Sequence, residues 1–430
     1  MRFMGAGRGT VLVACLALMP GVARAQQPLS EFLGAAEDGN LDLRAARAAL
    51  AQSRSQVDEA RARLLPSASA TGTYTRNELE VIIQLPNPSG GEPRQAVISP
   101  YDQLEGRFTI AVPILDLSAW AGFFSAEASA DAVSGRTDNA ERETRGAVVV
   151  LWHQLVGSRM VASAAERSLS VAEQSRANAA ARVEVGTAPQ LELDRAEAEV
   201  QRARQSLAEA QLGATLAARN LQNASGLAPS DRLVQLDDDL APEPALERYL
   251  ADLEQHPLVR AARSDALAAE RGEHAAWLSL APTISGHLTE RVTNAAGFGP
   301  SNQWAAGVTA TWQLDFGRPA AIGTRGAAAE RARIGLEQAQ QQVETQIFEA
   351  WQRVSTARAR AEAAQAALTA TQRAAQDAQA RFETGAATQL DVIQTERDLF
   401  TAEVGTIQAI ADLRVARALL RIRSGVGEVR

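Results

Sequence analysis

The chain contains no lysine: all 43 basic residues among its 430 are arginine. Cysteine occurs once, at Cys15, histidine four times, and aromatic residues make up only 4%. One cysteine excludes an internal disulfide. His153, His256, His274 and His287 are scattered, with no second ligand at a useful spacing, so no catalytic, metal-binding or cofactor-binding residue is expected, and no cofactor. The net charge of −8 and pI of about 5.3 give no reason to expect a nucleic-acid partner. Beyond the N-terminus no segment offers the ~18 unbroken apolar residues of a membrane-crossing helix.

Residues 1–25 have the pattern of a secretory signal peptide. Arg2 and Arg8 precede an apolar run from Val11 to Val22, and Ala23-Arg24-Ala25 is a small-residue cleavage site. Leu12-Val13-Ala14-Cys15 also fits a lipid-attachment box, but the apolar run continues past the cysteine. Cleavage after Ala25 leaves a mature chain without cysteine, and so without a thiolate site.

What is present in abundance is repetition. Arg182-Val-Glu-Val-Gly186-Thr-Ala-Pro-Gln190-Leu191-Glu192 recurs as Arg381-Phe-Glu-Thr-Gly385-Ala-Ala-Thr-Gln389-Leu390-Asp391, 199 residues later. The same lag relates Trp152 to Trp351, Leu221 to Leu420 and Ser225-Gly226 to Ser424-Gly425. Nearer the start of each half the lag is 216, relating Arg44-Ala-Ala-Arg47 to Arg260-Ala-Ala-Arg263 and Pro66 to Pro282. Two constant lags mean a tandem duplication with one insertion in the first copy. The expected division is a signal peptide over 1–25, a first repeat over 26–227, a linker over 228–245 and a second repeat over 246–430. Three prolines and Asp237-Asp238-Asp239 mark the linker.

Within each half the hydrophobic period changes at the shared proline. Residues 41–63 carry Leu43, Ala46, Leu50, Val57 and Ala60 at helical spacing, and Pro66 stops that helix. After it Ala68, Ala70, Gly72 and Tyr74 alternate with Ser69, Thr71, Thr73 and Thr75. After Pro282, Ile284, Gly286 and Leu288 alternate with Ser285, His287 and Thr289. A small or apolar face opposite a hydroxylic one describes a strand between two different solvents. Returning strands are expected over 105–117 and 302–316, so that strand pairs occupy 66–117 and 282–316, joined by turn-rich loops over 81–103 and 294–301. Both phases of 105–117 are apolar, which leaves its faces unassigned, and Pro113 calls for an edge position or a bulge. Eleven of the 19 aromatic residues fall within 64–124 and 277–316. An aromatic girdle at a membrane interface produces such clustering, and so does ordinary strand propensity.

Helices are expected over 118–184 and 319–383, each a rod of roughly 100 Å. A glycine turn follows each, then a shorter helix, 188–224 and 388–424. One short helix from the turn and one from the strand end add up to the length of a long helix, so they are expected to stack end to end beside it. Four strands cannot close a barrel, for which about eight is the minimum, and lipid does not tolerate open sheet edges. Several chains must therefore pool their strands, and three would supply twelve. The expected fold is mainly α with a membrane β-barrel: a tandem-repeat protomer that trimerises into a twelve-stranded barrel plus an α-helical tunnel.

The order helix, Pro, strand, loop, strand, long helix, Gly turn, helix, repeated twice, and the R-F-x-x-G-x-x-x-x-L-D signature at Arg381–Asp391 resemble the TolC-like outer-membrane efflux proteins over the whole mature chain. The resemblance implies a homotrimer in outer-membrane lipid that serves as a passive exit duct. Its implied partners are a periplasmic adaptor protein and an inner-membrane transporter. By the same resemblance the turns at Gly186 and Gly385, with Arg182 and Arg381, form the periplasmic tip where the adaptor docks. Asp391 and Glu192 match an acidic pore constriction. The family's second aspartate is Gln394 here, and the tyrosine and arginine that lock some family tips are Phe382 and Ala387. A closed state resting on Phe382 packing and the acidic ring is expected instead. Trp120, Phe123, Trp312 and Phe316 are the expected membrane-interface aromatics. Two other readings stay open: the outer-membrane component of a type I protein-secretion system, and a soluble periplasmic coiled-coil scaffold.

Overall fold

A computed structural model describes residues 27–426 apart from 87–89, 92, 231–239 and 314. The expected signal peptide, Cys15 and the Asp237–Asp239 run lie outside the described residues. In chain order the elements are α1 (Leu29–Gly39), α2 (Leu41–Ala62), β1 (Ser67–Arg76), β2 (Val81–Leu85), β3 (Arg94–Ser99), β4 (Asp102–Leu115), α3 (Leu117–Glu184) and α4 (Gln190–Ser225). After the linker come α5 (Glu247–Leu250), α6 (Pro257–Leu278), β5 (Thr283–Thr293), β6 (Asn302–Thr311), α7 (Gly317–Glu383) and α8 (Gln389–Ser424).

The helices lie side by side in a row near the sheet and close into a four-helix group near the glycine turns. Near the sheet the neighbours run α2–α3–α6–α7, and near the glycine turns they run α4–α3–α8–α7. Small residues set this spacing. A Cβ added at Gly135 of α3 would lie 3.0 Å from the Pro257 carbonyl and from the Ala261 backbone of α6, so a side chain there would push α6 outward by a few tenths of an ångström. The buried stripe of α7 is correspondingly slim, with Val343, Ile347, Ala350, Val354, Ala357 and Ala361 meeting Val259, Leu413 and Leu420. α3, at 68 residues, is by length and composition apolar enough to cross a membrane, though it holds no unbroken apolar run of that length. Its Val148, Val149 and Leu155 are spent on a core cluster with Phe32 of α1 and Leu221 of α4.

The short helices meet end to end at two equivalent joints. At the first, Asn40 accepts from Asp42 N and Leu43 N (3.0 and 3.1 Å), capping α2, while its amide donates to Ala224 O at the end of α4 (3.1 Å). At the second, His256 Nδ1 accepts from Leu258 N (3.3 Å), capping α6, and the imidazole faces the Arg423 backbone at the end of α8. Asn40 and His256 obey the 216-residue lag, and Ala224 and Arg423 the 199-residue lag. Two different side chains thus hold equivalent places: each caps the start of one helix and sits against the end of another.

β1, β4, β5 and β6 make one antiparallel sheet in the order β1-β4-β5-β6, leaving β1 and β6 as open edges. The register settles the faces of β4. Thr71 pairs with Arg107, Arg107 with Arg291 and Arg291 with Gln303, and Ser69, Thr109, Thr289 and Ala305 form the next row. The opposite face carries Ala70, Phe108, Leu104, Ile110, Leu288, Val308 and Trp304. β4 is therefore hydroxylic and charged on one side and, past Asp102 at its start, apolar on the other, where Glu290 of β5 stands opposite Phe108. Pro113 sits beyond the end of the β1 ladder, next to a register shift between Pro113 and Leu115. It thus escapes the donor requirement in both of the ways proline allows.

Two segments differ from the sequence reading. Val81–Leu85 and Arg94–Ser99 pair as an extra hairpin inside the expected loop. The β-branched run Val81-Ile82-Ile83 favours that extended geometry despite the flanking turn residues. β6 stops at Thr311 instead of reaching Phe316, because Asp315 accepts from Gly317 N (2.8 Å) and Arg318 N (3.0 Å) and so starts α7 early.

Candidate functional site

The free ends of α3/α4 and α7/α8 form a tip. Both turns close in the same way. Thr187 N donates to Arg182 O (2.9 Å) and Gly186 N to Val183 O (3.0 Å); Ala386 N donates to Arg381 O (2.8 Å) and Gly385 N to Phe382 O (3.0 Å). This is a Schellman closure, and it requires a left-handed residue at the position after the cap. Gly186 has φ +74° and Gly385 φ +80°. Arg182 and Arg381 contribute their carbonyls to the closure whatever their side chains do.

Beyond the turns the halves diverge. Thr388 and Asp391 form a reciprocal capping box: Thr388 N and Oγ1 donate to Asp391 Oδ2 (2.8 and 2.7 Å), and Asp391 N donates to Thr388 Oγ1 (3.3 Å). The Thr388 amide, and then its hydroxyl, hold the Asp391 carboxyl below the ordinary aspartate range. Its counterpart Glu192 follows a proline cap with no side-chain bond. Glu192 instead reaches Arg182 (3.7 Å), and its Oε2 is buried without a hydrogen bond. The Arg182 guanidinium lies 4.9 Å from the centre of the Phe382 ring, bridging the two hairpins. Arg381 makes only an exposed pair with Asp377 on its own helix (2.8 Å). Asp391 and Gln394 stand one turn apart on an exposed face of α8. Glu192, Arg182 and Phe382 therefore come together, while Asp391, Gln394 and Arg381 do not join them.

Just above the tip, α3, α4, α7 and α8 surround a cavity of about 570 Å³ lined by Ser175, Glu199, Phe382, Gln389, Glu396 and Phe400 among others. Gln389 is 4% exposed and donates to Ser175 Oγ (2.6 Å), and Arg397 pairs with Glu199 across the helices. Burial pushes the Glu396 carboxyl upward. Sequence reasoning singled out Phe382 but missed Ser175, Glu199, Glu396, Arg397 and Phe400. The signal available was a broken equivalence: Glu197 pairs with Arg176 (3.7 Å), whereas the position that would serve Glu396 is Ala375.

At the sheet end, Trp312 Nε1 donates to Leu280 O (2.9 Å), leaving most of the indole exposed. Phe316 is 100% exposed and Trp120 49%. Phe123 corrects the expectation of an interface aromatic, being only 8% exposed. It packs edge-on to Trp120 (6.5 Å) and against Phe124 (5.4 Å), beneath Arg61 of α2 (5.9 Å). Arg61 of α2 and the neighbouring rings of Trp120 and Phe124 together cover it. Among the described residues no group of three or more His, Cys, Asp or Glu is placed to hold a metal ion.

A two-faced sheet with open edges, standing on a helical wall with a tight double tip, is the architecture of a channel-wall protomer. The chain belongs to the outer membrane efflux protein family, whose sequence profile matches residues 32–227 and 251–426. It is 25% identical over 294 residues to the outer membrane efflux protein BepC of Brucella suis, an alignment that covers 67% of this chain and 64% of the length of that relative. A membrane protein from Pseudomonas aeruginosa shares the fold with a TM-score of 0.77 at 20% identity, over 94% of this chain and 97% of that one. The open state of the MtrE outer membrane channel of Neisseria gonorrhoeae does so with a TM-score of 0.76 at 19% identity, over 92% and 88%.

Proposed function

We propose that three copies of this chain form the outer-membrane exit duct of a tripartite efflux system, passing substrates delivered by an inner-membrane transporter and a periplasmic adaptor. One observation carries the reading: the sheet and the helical wall are open on the same two sides. β1 and β6 run in opposite directions at the two edges of the sheet, and α2/α4 and α7 close the two sides of the wall. A β6 edge beside the β1 edge of the next copy continues an antiparallel ladder. Three copies complete twelve strands and remove every edge, as lipid requires.

In this reading the apolar sheet face meets lipid, the hydroxylic face lines water, and helices of roughly 100 Å carry the tunnel into the periplasm. The turns at Gly186 and Gly385, with Arg182 and Arg381 beside them, receive the adaptor. Asp391 and Gln394 line the constriction, and Arg182 on Phe382, backed by Glu192, holds the two hairpins of one chain together. A ring of Asp391 carboxylates attracts cations, and each opposes its neighbours' ionisation. Asp391→Ala then raises single-channel conductance or lowers cation preference, and an unchanged channel counts against the constriction.

The test of the whole reading is the mass of detergent-extracted protein from the outer-membrane fraction, by size exclusion with light scattering. Three chains are expected. A single chain or a dimer in the soluble periplasmic fraction returns the scaffold reading. A type I secretion duct shares this architecture, and is distinguished by whether the co-purifying inner-membrane partner is a protein exporter.

A further inference from the structure

The hydroxylic face of the sheet is nearly free of charge. Ser, Thr, Gly and Ala dominate it, and its only carboxylate and guanidinium groups among the described strand residues are Glu105, Arg107 and Arg291. These three sit together. Arg107 and Arg291 are directly paired on adjacent strands, an arrangement of like charges that normally destabilises a sheet. Glu105 compensates by accepting from both, Arg107 Nη2 on Oε1 and Arg291 Nη2 on Oε2, each at 2.8 Å. The Glu105 side chain is thereby largely covered (18% exposed), whereas Arg107 remains 55% and Arg291 39% exposed, with Arg291 Nε lacking a partner. The row they occupy continues as Thr71 on one side and Gln303 on the other, with no acid in it.

The geometry points to an anion-binding collar on the inner wall of the barrel. One carboxylate cannot neutralise two guanidiniums, so each chain leaves a net charge of +1 on an otherwise uncharged wall. Resting on the three-copy duct reading, three chains place six guanidiniums and three carboxylates at one height, a net charge of +3. Guanidinium groups bind carboxylate, sulfonate and phosphate through paired N–H bonds, and rings of arginine are how pores attract anions. The ligand class is a multivalent organic anion in transit. The collar is opposite in sign to the carboxylates at the tip, so the duct favours cations at its entrance and holds anions at its exit.

The experiment uses the full-length detergent-solubilised protein and the trisulfonated dye pyranine, read by fluorescence anisotropy at low salt. Light scattering is run on the same samples. Wild-type trimer is expected to bind the dye, with an affinity that falls as salt rises. Arg107→Gln leaves Arg291 paired with Glu105 and removes the surplus charge, and is expected to weaken binding by about tenfold. Arg76→Gln removes an arginine that pairs with Asp102 on the other face of the sheet and is expected to leave binding unchanged. A wild-type trimer that does not bind, or an Arg107→Gln trimer that binds as wild type does, overturns the collar while leaving the duct standing. An Arg76→Gln loss equal to that of Arg107→Gln also overturns it. A wild-type protein of one chain overturns the duct reading, and the collar with it.

Discussion

The two tip turns began as copies and now differ in what surrounds them. Both close with the same pair of backbone bonds and the same left-handed glycine. The first turn enters α4 through Pro189 and sends its acidic residue, Glu192, back to Arg182 and so toward Phe382 of the other hairpin. The second enters α8 through Thr388 and spends its acidic residue, Asp391, on the cap of its own helix. Equivalent positions thus took up a tertiary role in one half and a local role in the other. The backbone closure has one solution for a given turn, whereas the side chains answer to neighbours that the duplication did not copy.

The comparison is broken most forcefully where the halves are still alike. Leu221 and Leu420 are equivalent, and both are fully buried. Truncation to alanine at either site is expected to cost about 2–5 kcal/mol, read as a loss of thermal stability, and a large difference between the two would show that the cores have also diverged.

The joints offer a sharper contrast, because Asn40 does not titrate and His256 does. Burial, and then the nearby Arg142, push the His256 imidazole down to about 4, against the opposing effect of the Arg423 backbone. An unfolded histidine near its ordinary value binds protons that the folded one refuses. Stability is therefore complete above the unfolded value and is lost as pH falls from about 6.5 toward 4. His256→Asn, which gives the second joint the chemistry of the first, is expected to flatten that part of the stability profile. Denaturant melts across this pH range decide it, and an unaltered slope would assign the loss to other groups.

A smaller effect is expected at the caps. Thr388→Ala removes the box from α8 and is expected to cost about 1 kcal/mol, whereas Pro189→Ala removes no cap bond from α4. Hydrogen exchange at the first turn of each helix reads the difference. Smallest is the arginine pair. Arg182→Ala loses the Phe382 contact and leaves Glu192 without its cation, at a cost of roughly 0.5–1 kcal/mol for this half-exposed side chain. Arg381→Ala loses only an exposed helical pair worth roughly 0–0.5 kcal/mol. Limited proteolysis of the tip should rank Arg182→Ala as the more labile, and equal rates would break the proposed asymmetry.

Much of this was legible in the chain, for reasons specific to certain residues. Pro66 and Pro282 end helices because proline excludes helical geometry before it. Gly186 and Gly385 mark turns because no other residue takes positive φ so cheaply. The alternation from Ala68 to Thr75 announced a two-faced strand, since successive side chains point to opposite faces. The reading failed where competing local signals met. Prolines and glycines over 81–103 concealed the hairpin that Val81-Ile82-Ile83 builds, and an aromatic count could not tell that Phe123 turns inward while Trp120 stays out.

The sequence by itself determined the duplication, the order of elements and the lengths of the rods, because period, proline and glycine act on the chain locally. Only the tertiary structure decided which residues meet. The strand register placed Arg107 against Arg291 and Glu105 under both, and the helix packing set Arg182 over Phe382 and His256 against Arg423. Apart from Glu105 on Arg107, those contacts join positions far apart in sequence, and a repeat lag relates equivalent residues without relating neighbours in space.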